Sequence, residues 1–203
     1  MLLNLFTGWF SPFIFPMKNG SAILILLCIT VGMFLSCVTR VSVERKSYWN
    51  SNRSQPLGTI YIVIDKSDYK LRVFDAKGWF ATYPVVFGNN NLGDKKMQGD
   101  RQTPEGTFVI LNKRRHEKWN KFLLLDYPNN KSWEKFKAGK ENGNIPTTAK
   151  IGGQIGIHGT LRYFDGVVDA YTNWTEGCIS LKNNDLDELY ELIVKGTKVK
   201  IRK

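Results

Sequence analysis

Two short segments carry residue types that could do chemistry together: Ile155-Gly156-Ile157-His158-Gly159-Thr160 and Trp174-Thr175-Glu176-Gly177-Cys178-Ile179-Ser180-Leu181. Beyond residue 37 the chain has one thiol, Cys178, and two imidazoles, His116 and His158. An unperturbed thiol, with a pKa of roughly 8.5, is only a few per cent thiolate at neutral pH. A neighbouring imidazole can take its proton and stabilise the anion. Gly177 lets the backbone approach a substrate closely, and amides around Cys178 could receive the oxyanion of a tetrahedral intermediate. Alone, the pair is a weak signal: a single histidine reads as well as a satisfied core residue, and a single cysteine as a small buried hydrophobe.

The surrounding pattern is specific. An Ile–His–Gly element, 16 intervening residues from His158 to Thr175, then Thr175-x-Gly177-Cys178-hydrophobic, resembles the active-site signature of YkuD-type L,D-transpeptidases. Thr103-Pro104-Glu105-Gly106-Thr107-Phe108 resembles the upstream TPxGxF segment of that family. The resemblance runs from about Gly58 to Ile201. Gly88, Gly93-Asp94-Lys95, Tyr127-Pro128-Asn129 and Gly152-Gly153 resemble its YafK-like branch.

The resemblance implies that Cys178 attacks the amide after the third residue of a peptidoglycan stem peptide, usually meso-diaminopimelate, expelling a D-amino acid. His158 is then the base, oriented by the carbonyl of Gly159. The amides of Gly177 and Cys178, with that of Glu176, form the oxyanion hole. The thioester passes to an amine (transpeptidation) or to water, as an L,D-endopeptidase or carboxypeptidase, or as a hydrolase releasing a protein attached to the stem. No metal and no organic cofactor is implied. Thr160, Thr175, Ser180 and His116 are candidate substrate contacts, with His116 equally readable as a solvated loop residue. Two positions depart from the family: Glu176 stands where many members have His, and Ser180 where many have Arg or Asn. Both leave the acceptor open. A non-catalytic lipoprotein that only binds peptidoglycan is the alternative from another class.

The elements that must position these residues read as mainly β with a few helices, and the resemblance implies a β-sandwich-like fold. Thr59–Asp65, Tyr69–Phe74, Trp79–Phe87, Thr107–Leu111, Phe122–Tyr127, Gln154–His158 and Thr197–Ile201 carry strand signals. Pro84 reads as an edge or a strand start. Asn130–Ala138 reads as a short helix closed by Gly139. A clearer helix spans Asp185–Val194, capped by Asn183 or Asn184. Trp174 reads as packing beneath its loop. The stretch from Asn89 to Arg101 is long enough for a lid, or for a merely mobile loop.

The 203-residue length suits one domain with an N-terminal extension. Ser21–Ser36 is an apolar run of signal-sequence length preceded by Lys18. Leu35-Ser36-Cys37 resembles a lipoprotein cleavage box, making Cys37 the lipidated residue; an uncleaved anchor or plain secretion are the rivals. Met17-Lys18-Asn19-Gly20 reads as an ordinary start for such a signal. Residues 1–37 are thus the signal or anchor, 38–56 a flexible tether spanning roughly 25 Å, and 57–203 the catalytic domain. All three readings place the domain outside the cytoplasm, and the lipoprotein reading puts it in the cell envelope, on the periplasmic side and anchored to a membrane. The net charge of +11 fits a carboxylate-bearing wall. No Arg-rich helix, zinc spacing or aromatic-glycine motif supports a nucleic acid partner.

Overall fold

The computed structural model describes residues 44–203. The apolar segment, Cys28 and Cys37 fall outside these residues, and no described helix is long and apolar enough to cross a membrane.

Strands β1 (Tyr48–Trp49), β2 (Tyr61–Asp65), β3 (Lys70–Asp75), β4 (Gly78–Pro84), β5 (Gly106–His116) and β6 (Asn120–Leu125) precede helix α1 (Asn130–Glu141). Then follow β7 (Gly156–Gly159), α2 (Gly166–Asp169), β8 (Ile179–Leu181), α3 (Asn183–Leu192) and β9 (Lys198–Arg202). The strands form a ladder in the order β1-β4-β3-β2-β9-β5-β6-β7-β8. Alternation builds it: Ile62 and Ile64 of β2 and Leu71 and Val73 of β3 are fully buried, while their neighbours face outward. The carboxy-terminal strand β9 inserts parallel to β2 and antiparallel to β5, so the two ends of the domain meet in mid-sheet.

Strand β5 joins the two halves. Its first residues pair with β9, and after a register shift between Ile110 and Asn112 its remainder pairs with β6. A bulge of this kind increases local twist and bends the strand. At the far end, Val86, just beyond β4, bridges Ser180 of β8. The ladder thus returns toward its own start around one core, which takes Phe80, Tyr83 and Phe87 from one side and Leu123, Ile157, Ile179 and Leu181 from the other. The mainly β, sandwich-like expectation holds.

Several boundaries differ from the sequence reading, each for a local reason. Pro84 ends β4 rather than opening it. Helix α1 runs past Gly139 to Glu141, with Asn129 as its side-chain cap. Gly139 leaves room for Ile145, whose Cδ1 would lie 2.5 Å from an added Cβ. Helix α3 starts at Asn183, and neither Asn183 nor Asn184 caps it. Instead the Asn183 amide donates to Asp165 Oδ1 at 3.0 Å, so a distant carboxylate does the capping. Leu186 and Leu189 of α3 are fully buried.

The largest difference concerns the expected tether. From Glu44 onward the segment is docked on the domain. Tyr48 and Trp49 pair with Thr82 and Ala81 of β4. Arg45 donates to the carbonyls of Tyr69 (2.6 Å) and Val168 (2.9 Å), and Arg53 pairs with Asp75. Backbone carbonyls and a sheet edge replace the water that a free coil would need.

Candidate active site

His158 sits in β7 and Cys178 immediately precedes β8. These two strands run parallel, with Ile157 opposite Ile179 and His158 opposite Ser180. That pairing brings together two segments twenty residues apart in sequence. Both side chains line one cavity of about 410 Å³. Arg114, Trp119 and Phe122 from the β5–β6 hairpin line it together with Gly153, Gln154 and Ile155 ahead of β7 and Trp174, Thr175 and Glu176 ahead of Cys178.

The imidazole of His158 is 2% exposed and held from three directions. Trp119 stacks on it at 4.7 Å and Phe122 lies nearly parallel at 6.0 Å, while Trp174 meets it edge-on at 5.6 Å. Its Nδ1 lies 2.7 Å from the carbonyl oxygen of Gly159. A carbonyl oxygen can only accept, so Nδ1 carries the proton and Nε2 is left as the basic lone pair. Burial drives the imidazole pKa down to about 4, against the opposing pull of the Gly159 bond.

The Cys178 thiol donates to the Gln154 carbonyl at 3.5 Å. Burial pushes its pKa up to about 11, opposed by the Gly156 amide and by the charge of Lys95. Burial therefore favours the neutral form of both the imidazole and the thiol.

The loop that presents Cys178 is fixed by side-chain hydroxyl and backbone bonds. Thr175 Oγ1 donates to the Cys178 carbonyl at 2.7 Å and accepts from the Gly177 amide at 3.2 Å. The Trp174 and Thr175 amides both donate to the Phe87 carbonyl. Gly177 has φ +118°, and a Cβ there would lie 2.7 Å from the Gln102 carbonyl oxygen. A Cβ on Gly88 would lie 2.0 Å from the Arg101 carbonyl oxygen. Three backbone segments cross too closely here for any larger residue.

The stretch from Asn89 to Arg101 is wired to the domain. Asp100 pairs with the 3%-exposed Lys95 side chain at 2.6 Å and accepts the amides of Lys96, Met97 and Gln102. The buried Lys66 ammonium donates to the Gly93 carbonyl and pairs with Glu105 at 2.8 Å. At the rim, Arg101 lies 3.4 Å from Glu176.

Other candidates fall elsewhere. Thr160 donates to Asp165 and accepts from Asn183 at 2.9 Å, a knot tying β7 to α3. Ser180 is fully buried, with its hydroxyl unpartnered among the described residues. Neither lines the cavity. His116 does not line it but stacks on Trp119 at 4.3 Å, beside a second cavity lined by Arg115, Lys121 and Asp187. The Gly177 amide, expected at the oxyanion, is turned to Thr175. Trp174 faces the cavity rather than lying wholly beneath the loop. Sequence reading did not single out Arg114, Trp119, Phe122 or Gln154 as site residues; Trp119 lies in the turn between β5 and β6, and Phe122 in β6 itself.

Fold and site together define a mainly β protein with a buried imidazole and a thiol sharing one surface cavity. The YkuD family, the L,D-transpeptidase catalytic domain, matches residues 59–201, and the chain belongs to it. Among solved structures, the helical cell shape determining protein Pgp2 from Campylobacter jejuni aligns with a TM-score of 0.53 at 25% identity, over 77% of this chain and 50% of that one. Bd1075 from Bdellovibrio bacteriovorus aligns with a TM-score of 0.51 at 22% identity, over 71% and 48%. The chain thus spans about half the length of these relatives. No functionally curated protein matches the sequence.

Proposed function

We propose that the protein is a peptidoglycan L,D-transpeptidase-type cysteine acyltransferase of the YafK-like branch, acting on stem peptides in the cell envelope through a Cys178 thioester. The observation that carries this reading is the shared cavity of Cys178 and His158, with Nδ1 of His158 held by the Gly159 carbonyl. The Cys178 thiol adds to the carbonyl carbon of the scissile amide while its proton passes to Nε2 of His158. The resulting oxyanion is received by the amides of Cys178 and Glu176, since that of Gly177 is engaged with Thr175. The C–N bond then breaks, the leaving amine takes the proton from His158, and a thioester remains. An acceptor amine attacks that thioester, returning the thiol and forming a cross-link.

Water in place of the amine gives hydrolysis through the same intermediate. The family's role in wall chemistry, the relative described as determining helical cell shape, and the apolar segment ahead of Cys37 support an envelope setting. Purified protein incubated with defined tetrapeptide muropeptides tests the proposal by mass spectrometry, with Cys178→Ala as control. Loss of the terminal D-residue with a new dimer, absent in the variant, is the expected result. Loss to water alone assigns hydrolysis, and no Cys178-dependent change sinks the catalytic assignment.

A further inference from the structure

The cavity of Cys178 carries the rings of Trp119, Phe122 and Trp174 in its wall, and one guanidinium stands among them. Arg114 lies on the outer half of β5, and its Cζ sits 5.5 Å from the centroid of Phe122. Phe122 is the ring that lies nearly parallel to the His158 imidazole. Among the described residues Arg114 makes no ion pair. The neighbouring cations of the hairpin are differently engaged: Lys113 bonds to the carbonyls of Tyr190 and Ile193, and Lys121 pairs with Asp187. Arg115 faces the second cavity. The one carboxylate lining the catalytic cavity, Glu176, is already opposite Arg101.

An unpaired guanidinium beside an apolar wall offers a planar fork of donors to a carboxylate. Its stacking on Phe122 limits the freedom lost when such an ion pair forms. Ser180, one of the candidate substrate contacts, is fully buried and does not line the cavity.

We propose that Arg114, held over Phe122 in the wall of the Cys178 cavity, binds a carboxylate that the substrate carries beside the scissile amide. The enzyme thereby discriminates between donors with that carboxylate free and donors in which it is amidated. The inference rests on Cys178 being the reacting group, and its test separates the two ideas.

In the full-length chain, Cys178 is alkylated in parallel with iodoacetate, an anion, and iodoacetamide, its neutral analogue, and followed by intact mass. Arg114→Gln lowers the iodoacetate-to-iodoacetamide rate ratio severalfold, whereas Arg115→Gln leaves it unchanged. With muropeptide donors, Arg114→Gln raises KM for the free-carboxylate form by about tenfold, the loss of one charged hydrogen-bonding pair. It leaves kcat and the amidated donor little affected, and Arg114→Lys recovers part of the loss. An alkylation ratio unmoved by Arg114→Gln overturns the proposal, as does an equal loss on both donors. Absence of any turnover in the parent protein sinks the catalytic reading instead, while the alkylation ratio still reports on Arg114.

Discussion

The hydroxyl of Thr175 donates to the carbonyl oxygen of Cys178 at 2.7 Å and receives the Gly177 amide in return. One 4%-exposed side chain therefore ties the Glu176–Gly177 peptide on one side of Cys178 to the Cys178–Ile179 peptide on the other. The Cys178 amide is left to point elsewhere, as an oxyanion donor must. At the crossing, Gly177 and Gly88 bring no side chains of their own against Arg101 and Gln102, so the tie within the loop is made by Thr175.

Thr175→Val keeps the shape and removes both bonds. The stability cost is about 1–2 kcal/mol for an unsatisfied buried pair. The rate of Cys178 acylation falls further, by about a hundredfold, because a displaced nucleophile loses its near-attack geometry. Thr175→Ser restores most of the rate. Acylation kinetics beside thermal melting check this; a rate loss no larger than the stability loss predicts would refute the positioning role.

The neutral Cys178–His158 pair has a pH signature. An ion-paired thiolate would alkylate at a constant rate from mildly acidic pH upward. With the thiol pushed up to about 11, alkylation by a neutral reagent instead climbs through the alkaline range. Folding carries a second sign. The His158 pKa lies at about 4 when folded, below its ordinary value of 6.5, so the unfolded chain binds that proton more tightly. This contribution is present above pH 6.5 and is lost as pH falls toward 4, on the order of 3 kcal/mol. His158→Gln should therefore melt with a shallower acid dependence than the parent between pH 7 and pH 4.5. Parallel slopes would show that His158 is not the group being titrated.

The pairing of Cys178 with His158 was legible because its determinants are local: a glycine immediately before the cysteine, and a histidine whose own neighbour supplies the orienting carbonyl. What lay beyond was set by contacts distant in sequence. Strand β8 is only three residues long and fully buried, too short for alternation to reveal. The outer half of β5 carries Lys113, Arg114 and Arg115 and shows no apolar face, so its strand character comes from pairing with β6 alone. Arg114 became visible as a cavity residue only once that hairpin was extended. Helix α3 is likewise capped by Asp165, eighteen positions before the amide it receives.

The docked segment before residue 57 is hidden from sequence for the same reason, since Arg45 is satisfied by backbone carbonyls that no pattern announces. It also touches the architecture beneath the site. Besides its bonds to Tyr69 and Val168, its guanidinium lies 3.9 Å from the Tyr171 ring. Its carbonyl accepts from Lys182, the residue immediately before α3. Trp49 packs edge-on to Phe80 and Tyr83 at 5.3 and 5.9 Å. A chain beginning at Leu57 loses all of these and should unfold with about 2–4 kcal/mol less stability than one beginning at Glu44. Arg45→Met, which keeps the apolar stem, should account for about half of that deficit. Denaturant unfolding of the three proteins decides the matter: equal midpoints would return residues 44–56 to the status of a passive tether. A deficit confined to the truncation and absent from Arg45→Met would place the anchoring in the β1 pairing and Trp49.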